Sequence, residues 1–218
     1  AGVELGLGHR LNGFHGLGRL FSFGFLFFGS PGTSHPAQQA GARKVVYAAS
    51  SSCYGMAAVP TREDHSIAPH YPYALSKYLG ELAAFHWEKV YQLPTNSIRI
   101  FNAYGTRSRT SGAYGAVVGV FMRQKLAGKP FTVVGDGTQT RDLVFVKDVV
   151  NALLIVACRG SRTGEPYNVG TGRMITIREL ALKIANLMDA SPRFEFTHKA
   201  RAGDPDRWLA DISKVALL

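Results

Sequence analysis

KVVYAASSSCYG, residues 44–55, joins a β-rich run to a cluster of hydroxyl side chains. Lys44 to Ser50 has the composition of a short buried strand, and it runs directly into Ser51 and Ser52. In an open α/β sheet, ligands bind beyond the carboxyl ends of the strands. The stretch therefore predicts a strand that delivers serine hydroxyls to a ligand site.

Strands and helices alternate on the C-terminal side of this stretch. Residues 73–91 predict a helix, because apolar or aromatic side chains recur at steps of three and four and Pro94 follows the end. Further strands are predicted at 95–101, 131–134, 143–146 and 167–169, and further helices at 117–127, 148–158 and 176–188. This alternation is typical of an α/β domain with a mostly parallel sheet.

Tyr73 and Lys77 stand four residues apart on the predicted helix, so their side chains share one face. A free tyrosine has a pKa near 10, and lowering it by roughly three units requires about 4 kcal/mol of preferential stabilisation of the phenolate. A neighbouring lysine ammonium would supply part of that stabilisation. Tyr73 would then serve as a general base for a substrate hydroxyl. A chance pair on a helix surface is the alternative, and the preceding serine turn favours the catalytic interpretation.

Six segments in order carry a resemblance to a known family. They are AASSSCYG (48–55), YPYALSKYLGE (71–81), SIRIFNAYG (97–105), GDGTQTRDLVFVKDV (135–149), YNVGTG (167–172) and RAGDPDRWLADISK (201–214). From about Gly41 to its end the chain resembles the extended short-chain dehydrogenase/reductases, and among them the nucleotide-sugar 4-epimerases. The resemblance implies a partial Rossmann-like doubly wound parallel sheet with a smaller C-terminal α/β part that binds the substrate.

The same resemblance implies the site residues, with NAD as cofactor and a UDP-hexose as the favoured substrate. Ser50 takes the catalytic hydroxyl position, Tyr73 is the base, and Lys77 holds the nicotinamide ribose. Ala48 and Phe101 line the nicotinamide pocket. The residues expected to contact the nucleotide sugar are Ser52, Asn102, Ala116, Val117, Arg141, Arg201 and Asp204.

Two of these residues also fit their role by their own chemistry. Arg141 follows a glycine-rich turn, and Arg201 shares a loop with Asp204. Planar guanidinium groups suit diphosphate oxygens, and a neighbouring carboxylate suits ribose hydroxyls. An ordinary surface arginine is the alternative for either position alone.

Three reactions and one non-catalytic role remain open within the resemblance. Related 4,6-dehydratases carry an Asp-Glu pair just after the catalytic hydroxyl, whereas this chain has Ser51 and Ser52 there. Neither hydroxyl transfers protons readily near pH 7, which argues against dehydration. Epimerisation at C4 is favoured, a UDP-uronic acid decarboxylase begins with the same oxidation, and a non-catalytic remnant would bind nucleotide sugar without turnover.

The first 40 residues differ in character from the rest and carry one acidic residue, Glu4. Gly13, Gly16 and Gly18 approach a dinucleotide-binding glycine pattern, but the last spacing is one residue short and no acidic residue follows at the expected distance. We expect residues 1–40 not to form a working cofactor module. Residues 41–110 are expected to be the C-terminal part of the catalytic domain, and residues 111–218 mostly the substrate-binding part.

Composition restricts the partners. The formal net charge is +10 and the sequence pI is about 9.8, yet no Lys/Arg run exceeds two residues. A small phosphorylated ligand is therefore favoured over nucleic acid. The apolar stretch 20–28 is too short for a membrane span. Cys53 and Cys158 have no metal-binding spacing and are expected to be free thiols of a reducing, cytoplasmic compartment.

A homodimer is expected through the helix that bears Tyr73, as in the relatives. Leu75, Leu79, Leu82 and Leu93 are predicted to give this helix an apolar surface that one thin domain cannot cover.

Overall fold

A computed structural model of the chain describes residues 37, 39, 41–108, 110, 117–188, 193–197 and 205–218. The strands are β1 Val45–Ser50, β2 Thr95–Ile100, β3 Asn102–Tyr104, β4 Phe131–Val133, β5 Thr140–Arg141, β6 Leu143–Phe145, β7 Glu165–Val169, β8 Ile175–Thr176 and β9 Phe194–Phe196. The α-helices are α1 Pro72–Tyr91, α2 Val117–Leu126, α3 Val146–Arg159, α4 Ile177–Leu187 and α5 Ser213–Ala216, and a 3-10 helix spans Ser51–Tyr54.

The central sheet is parallel, with strand order β1-β2-β7. The β1 register pairs Val45 with Thr95 and Ser50 with Ile100, so both strands end level with each other. The remaining strands form pairs: β3 with β6 and β4 with β9 are parallel, and β5 with β8 is antiparallel. The predicted α/β class with a mostly parallel sheet is confirmed.

Helices cover both faces of the central sheet. Because side chains alternate along a strand, Val46 and Ile98 face α3, where they pack in one buried cluster with Leu153. Tyr47 and Ala49 face the other way and pack with Ala84 of α1. This layering places α1, which carries Tyr73 and Lys77, directly against the strand that carries Ser50.

A second core lies beyond the end of the sheet. Phe121 of α2, Phe131 of β4 and Leu180 of α4 are buried together in a cluster distinct from the one packed on the central sheet. Helix α4 begins with a capping box in which Thr176 and Glu179 satisfy each other's backbone N–H groups.

Predicted and observed elements agree within a few residues for the longer segments. The prediction for Leu93 was wrong: it lies beyond the end of α1, is 6% exposed, and packs with Ala42 and Val45 instead of adding to an exposed helix face. The glycines at 13, 16 and 18, with nearly all of the segment 1–40, lie outside the described residues. No helix in the part of the chain that the structure describes is long and apolar enough to cross a membrane.

Candidate active site

A cavity of about 540 Å³ opens beyond the carboxyl ends of β1 and β2. Its walls come from the serine turn, the first turns of α1, strand β3, and the facing parts of α2, β4 and β5. The predicted residues that line it are Ala48, Ser50, Ser52, Tyr73, Lys77, Phe101, Asn102, Val117 and Arg141. The predictions for Ala116, Arg201 and Asp204 fall outside the described residues.

Lys77 is held at the floor of this cavity. Its Nζ donates a hydrogen bond to the carbonyl oxygen of Ala48 at 3.1 Å and lies 5.7 Å from the centre of the Tyr47 ring. Burial lowers the pKa of Lys77 from its ordinary value. The ammonium therefore stands within the site, one helical turn from Tyr73, with its donors available to a ligand.

Tyr73 stands at the mouth of the cavity, where α1 begins. It is 39% exposed, and its ring lies parallel to that of Tyr71 with the ring centres 6.5 Å apart. Pro72 occupies the first turn of the helix, where a missing N–H costs nothing. The two tyrosines line the same cavity, but Tyr73 alone shares a helical face with Lys77.

The serine turn is ordered by its own hydroxyls. Ser50 caps the 3-10 helix: its Oγ accepts from the backbone N–H of Ser52 at 3.3 Å and from the Ser52 Oγ at 2.9 Å. Ser50 is half-buried and Ser52 is buried. Both serines line the cavity, as Lys77 does.

Arg141 of β5 is buried and also lines the cavity. Its guanidinium donates to the carbonyl oxygens of Thr140 at 2.8 Å and Pro205 at 2.9 Å, and its Cζ lies 5.5 Å from the centre of the Trp208 ring. Arg141 therefore connects β5 to the C-terminal segment while it lines the cavity. Asn102 is similarly engaged, since its Nδ2 donates to the backbone oxygen of Asp142 at 3.2 Å.

Several cavity residues were not singled out from the sequence. Tyr71, Tyr104, Gln139 and Trp208 fall inside the quoted motifs, so their motif membership was an available signal. Thr132 lies outside those motifs, and it reaches the cavity as part of β4.

A buried polar network ties the elements of the site together. Arg99 of β2 donates to Glu81 of α1 through Nη2 at 2.6 Å, and through Nη1 to the Tyr54 hydroxyl at 2.9 Å. The Tyr54 hydroxyl donates to Asn168 of β7 at 2.7 Å, and Ser97 donates to Glu81 at 2.6 Å. The network joins α1, which carries Tyr73 and Lys77, to the 3-10 helix that follows Ser50 and to strands β2 and β7 of the central sheet.

The chain matches the model of the NAD-dependent epimerase/dehydratase family over residues 35–170. It is 40% identical to a UDP-glucose 4-epimerase of Mycolicibacterium smegmatis over 82% of this chain and 57% of that protein. It is 34% identical to the UDP-glucuronic acid decarboxylase 1 of Danio rerio over 84% of this chain and 44% of that protein.

A solved structure has a similar fold over most of this chain. The Thermus thermophilus UDP-glucose 4-epimerase in complex with NAD superposes with a TM-score of 0.75 and 30% sequence identity. The match covers 84% of this chain and 60% of that one. The chain thus spans about half of the length of the relatives that it matches.

Proposed function

This chain belongs to the NAD-dependent epimerase/dehydratase family, and on that premise we propose that it epimerises a UDP-hexose at C4 through a 4-keto sugar. The observation that carries the proposal is the placement of Ser50, Tyr73 and Lys77 on one cavity, two of them on one helical face. NAD, held by the residues of the cavity, would supply a reversible hydride acceptor for C4 of the sugar, so that the overall epimerisation would involve no net oxidation.

Residues of this chain transfer the proton of the sugar 4-hydroxyl and stabilise the negative charge on the base. Tyr73, as a phenolate, takes the proton of the sugar 4-hydroxyl as the C–H bond breaks, and gives it back when the hydroxyl is re-formed. The Lys77 ammonium stabilises the phenolate electrostatically. Ser50 holds the sugar oxygen near Tyr73.

The residues present fit the nicotinamide end of the cofactor. Ala48, Tyr73, Lys77 and Phe101 line one part of the cavity, and the Lys77 ammonium offers donors suited to ribose hydroxyls. We propose that these four residues hold the nicotinamide riboside.

Nucleotide-sugar binding is proposed for other residues that line the same cavity. Arg141 would donate to the diphosphate, with Ser52 and Asn102 toward the sugar and Val117 toward the base. Arg201, Asp204 and Ala116 are proposed for the same ligand on the family resemblance alone.

Decarboxylation of a UDP-uronic acid is the second candidate. Decarboxylation starts with the same oxidation at C4. The 34% identity to a UDP-glucuronic acid decarboxylase supports this second candidate. A 4,6-dehydratase is disfavoured because Ser51 and Ser52 offer no carboxylate next to Ser50. A remnant that binds nucleotide sugar without turnover is the candidate of a different class.

A homodimer through α1 is proposed for the assembly. Leu75, Leu79 and Leu82 are 45%, 53% and 44% exposed and recur along one side of this helix. Burying such a stripe in a second copy would remove apolar surface from water.

Titration of the purified chain with NAD and with UDP separately distinguishes the candidates. Incubation with UDP-glucose and NAD should form UDP-galactose, and incubation with UDP-glucuronate should release no CO₂.

Tyr73→Phe should lower kcat about 10²-fold or more, while Tyr71→Phe, which changes another tyrosine that lines the cavity, should retain turnover. Binding of UDP without binding of NAD would leave the chain a substrate-binding remnant. Undiminished turnover in Tyr73→Phe would refute the assignment of the base.

A further inference from the structure

Tyr47 of β1 lies between the strand and the helix that carries the candidate catalytic pair. It is 7% exposed, and its ring packs with Ala49 and Ala84 in the layer between β1 and α1. Its hydroxyl end reaches Gly80, where a Cβ on residue 80 would overlap the phenolic oxygen. Glycine at position 80 therefore allows α1 to approach the strand as closely as the Tyr47 ring permits.

The face of the same ring lies beside the Lys77 ammonium. The distance of 5.7 Å from Nζ to the ring centre is within the range at which a cation is attracted to the ring quadrupole. Lys77 and Gly80 are three residues apart, so they are neighbours on one side of α1. One side chain of β1 thus contacts the helix backbone and the lysine side chain together.

The next residue of β1 completes the arrangement. Lys77 Nζ donates to the carbonyl oxygen of Ala48 at 3.1 Å. Two consecutive residues of β1 therefore contact the Lys77 ammonium: Tyr47 through the face of its ring, and Ala48 through its carbonyl oxygen.

We propose that Tyr47 is a positioning residue for Lys77: its ring, with the Ala48 carbonyl, forms a seat for the ammonium, and the glycine at position 80 lets α1 lie close enough to β1 for Lys77 to reach that seat. The catalytic meaning of this seat rests on the function proposed above, whereas the seat itself is a property of the chain without ligands.

The chemistry of Tyr47 suits a neutral seat. Burial, and then the nearby Glu81 and Tyr73, raise its pKa above the ordinary value, so the phenol stays protonated at neutral pH. It therefore acts on Lys77 through its ring and not as a counter-ion. Phenylalanine should replace it in this role, and an aliphatic side chain of similar bulk should not.

The test measures the reactivity of Lys77 relative to Lys89, an exposed lysine of the same helix. The purified chain is labelled briefly with an amine-acetylating reagent, with no NAD or sugar nucleotide present, and both sites are quantified by mass spectrometry. The Lys77/Lys89 ratio should be low in the parent, the same within two-fold in Tyr47→Phe, and about five-fold or more higher in Tyr47→Leu. An unchanged ratio in Tyr47→Leu, or an equal rise in Tyr47→Phe, would overturn the proposal.

A second measurement tests the proposal without Tyr47→Leu, in case that variant does not fold. The ε-methylene protons of Lys77, assigned with Lys77→Arg, should resonate upfield of those of Lys89 in the parent and in Tyr47→Phe, because they adjoin the Nζ that lies over the ring. A Lys77 resonance at the position of an exposed lysine in the parent would overturn the proposal. Both measurements need neither turnover nor cofactor, so their failure is distinct from a failure of the proposed function.

Discussion

Ser52 donates two hydrogen bonds to the Oγ of Ser50, one from its backbone N–H at 3.3 Å and one from its hydroxyl at 2.9 Å. A serine hydroxyl has two acceptor lone pairs and one proton. With both lone pairs engaged, Ser50 has its proton left to offer to the cavity. In the proposed reaction Ser50 is thus a donor to the sugar oxygen, a role that favours the keto sugar.

Ser52→Ala should lower kcat by about two- to ten-fold, since one neutral hydrogen bond contributes about 0.5–1.5 kcal/mol. Ser51→Ala removes the neighbouring hydroxyl and leaves both bonds to Ser50 in place, so it is the matched control. Steady-state assays of the two variants with UDP-glucose and NAD make the comparison. Equal activities in both variants would contradict the donor role of Ser52.

Arg141→Ala should weaken UDP binding about ten-fold or more, because a charge-assisted hydrogen bond contributes roughly 1.5–3 kcal/mol. Isothermal titration calorimetry with UDP measures the loss. Arg62→Ala is the control: this side chain is 66% exposed and lies outside the cavity. A loss of similar size is expected for Arg201→Ala from the family resemblance. Parent-like affinity in Arg141→Ala would remove this residue from the proposed diphosphate site.

Leu79→Glu should convert the proposed dimer to a monomer, because it places a charge in the middle of the exposed leucine stripe of α1. Light scattering at micromolar concentration reports the mass. Leu126→Glu changes a leucine of α2 that is 77% exposed, and it should leave the mass of the parent unchanged. A parent that is already monomeric would contradict the proposed assembly.

The two thiols should react at very different rates. Cys53 is buried, and burial raises its pKa to about 12, whereas Cys158 is exposed. Because the thiolate is the reactive form, a disulfide reagent at pH 8 should titrate one thiol per native chain and two after denaturation. Two rapidly reacting thiols in the native chain would show that Cys53 is accessible.

The capping box of α4 should make stability depend on pH in the acid range. Hydrogen bonds from Thr176, its backbone N–H first, lower the pKa of Glu179. The stabilisation of the folded state by the ionised Glu179 is complete above the ordinary pKa of a glutamate. It is lost as the pH falls through the lowered pKa of Glu179. Urea denaturation should therefore show that the free energy of unfolding falls less at acid pH in Glu179→Gln than in the parent, because the amide oxygen of glutamine accepts a hydrogen bond at every pH. Glu195→Gln, on the exposed side of β9, should behave as the parent does.

Sequence reasoning succeeded where a pattern was long. The helix over 72–91 and the strands at 45–50 and 95–100 have enough residues to show a period or a β-rich composition. Strands β5, β8 and β9 were not predicted, because they have two or three residues each, too few for a period, and they pair only because the chain returns from a distance. Leu93 illustrates the same limit, since its burial depends on contacts with residues 42 and 45.

The site was predictable to the extent that it is local. Tyr73 and Lys77 share a face by helical geometry, and Ser50 follows from the end of one strand. Trp208 reaches the cavity through the bridge between Thr61 and Ala210 and the contact with Arg141, which no local pattern encodes.

The buried pair of Glu81 and Arg99 also constrains how this sequence can diverge. Each charge is nearly sealed from water and is balanced by the other, so replacing either alone would leave its partner uncompensated in the interior. A lineage can change such a pair only by crossing a destabilised intermediate or by substituting both positions together. Across descendants of this chain, positions 81 and 99 should therefore covary.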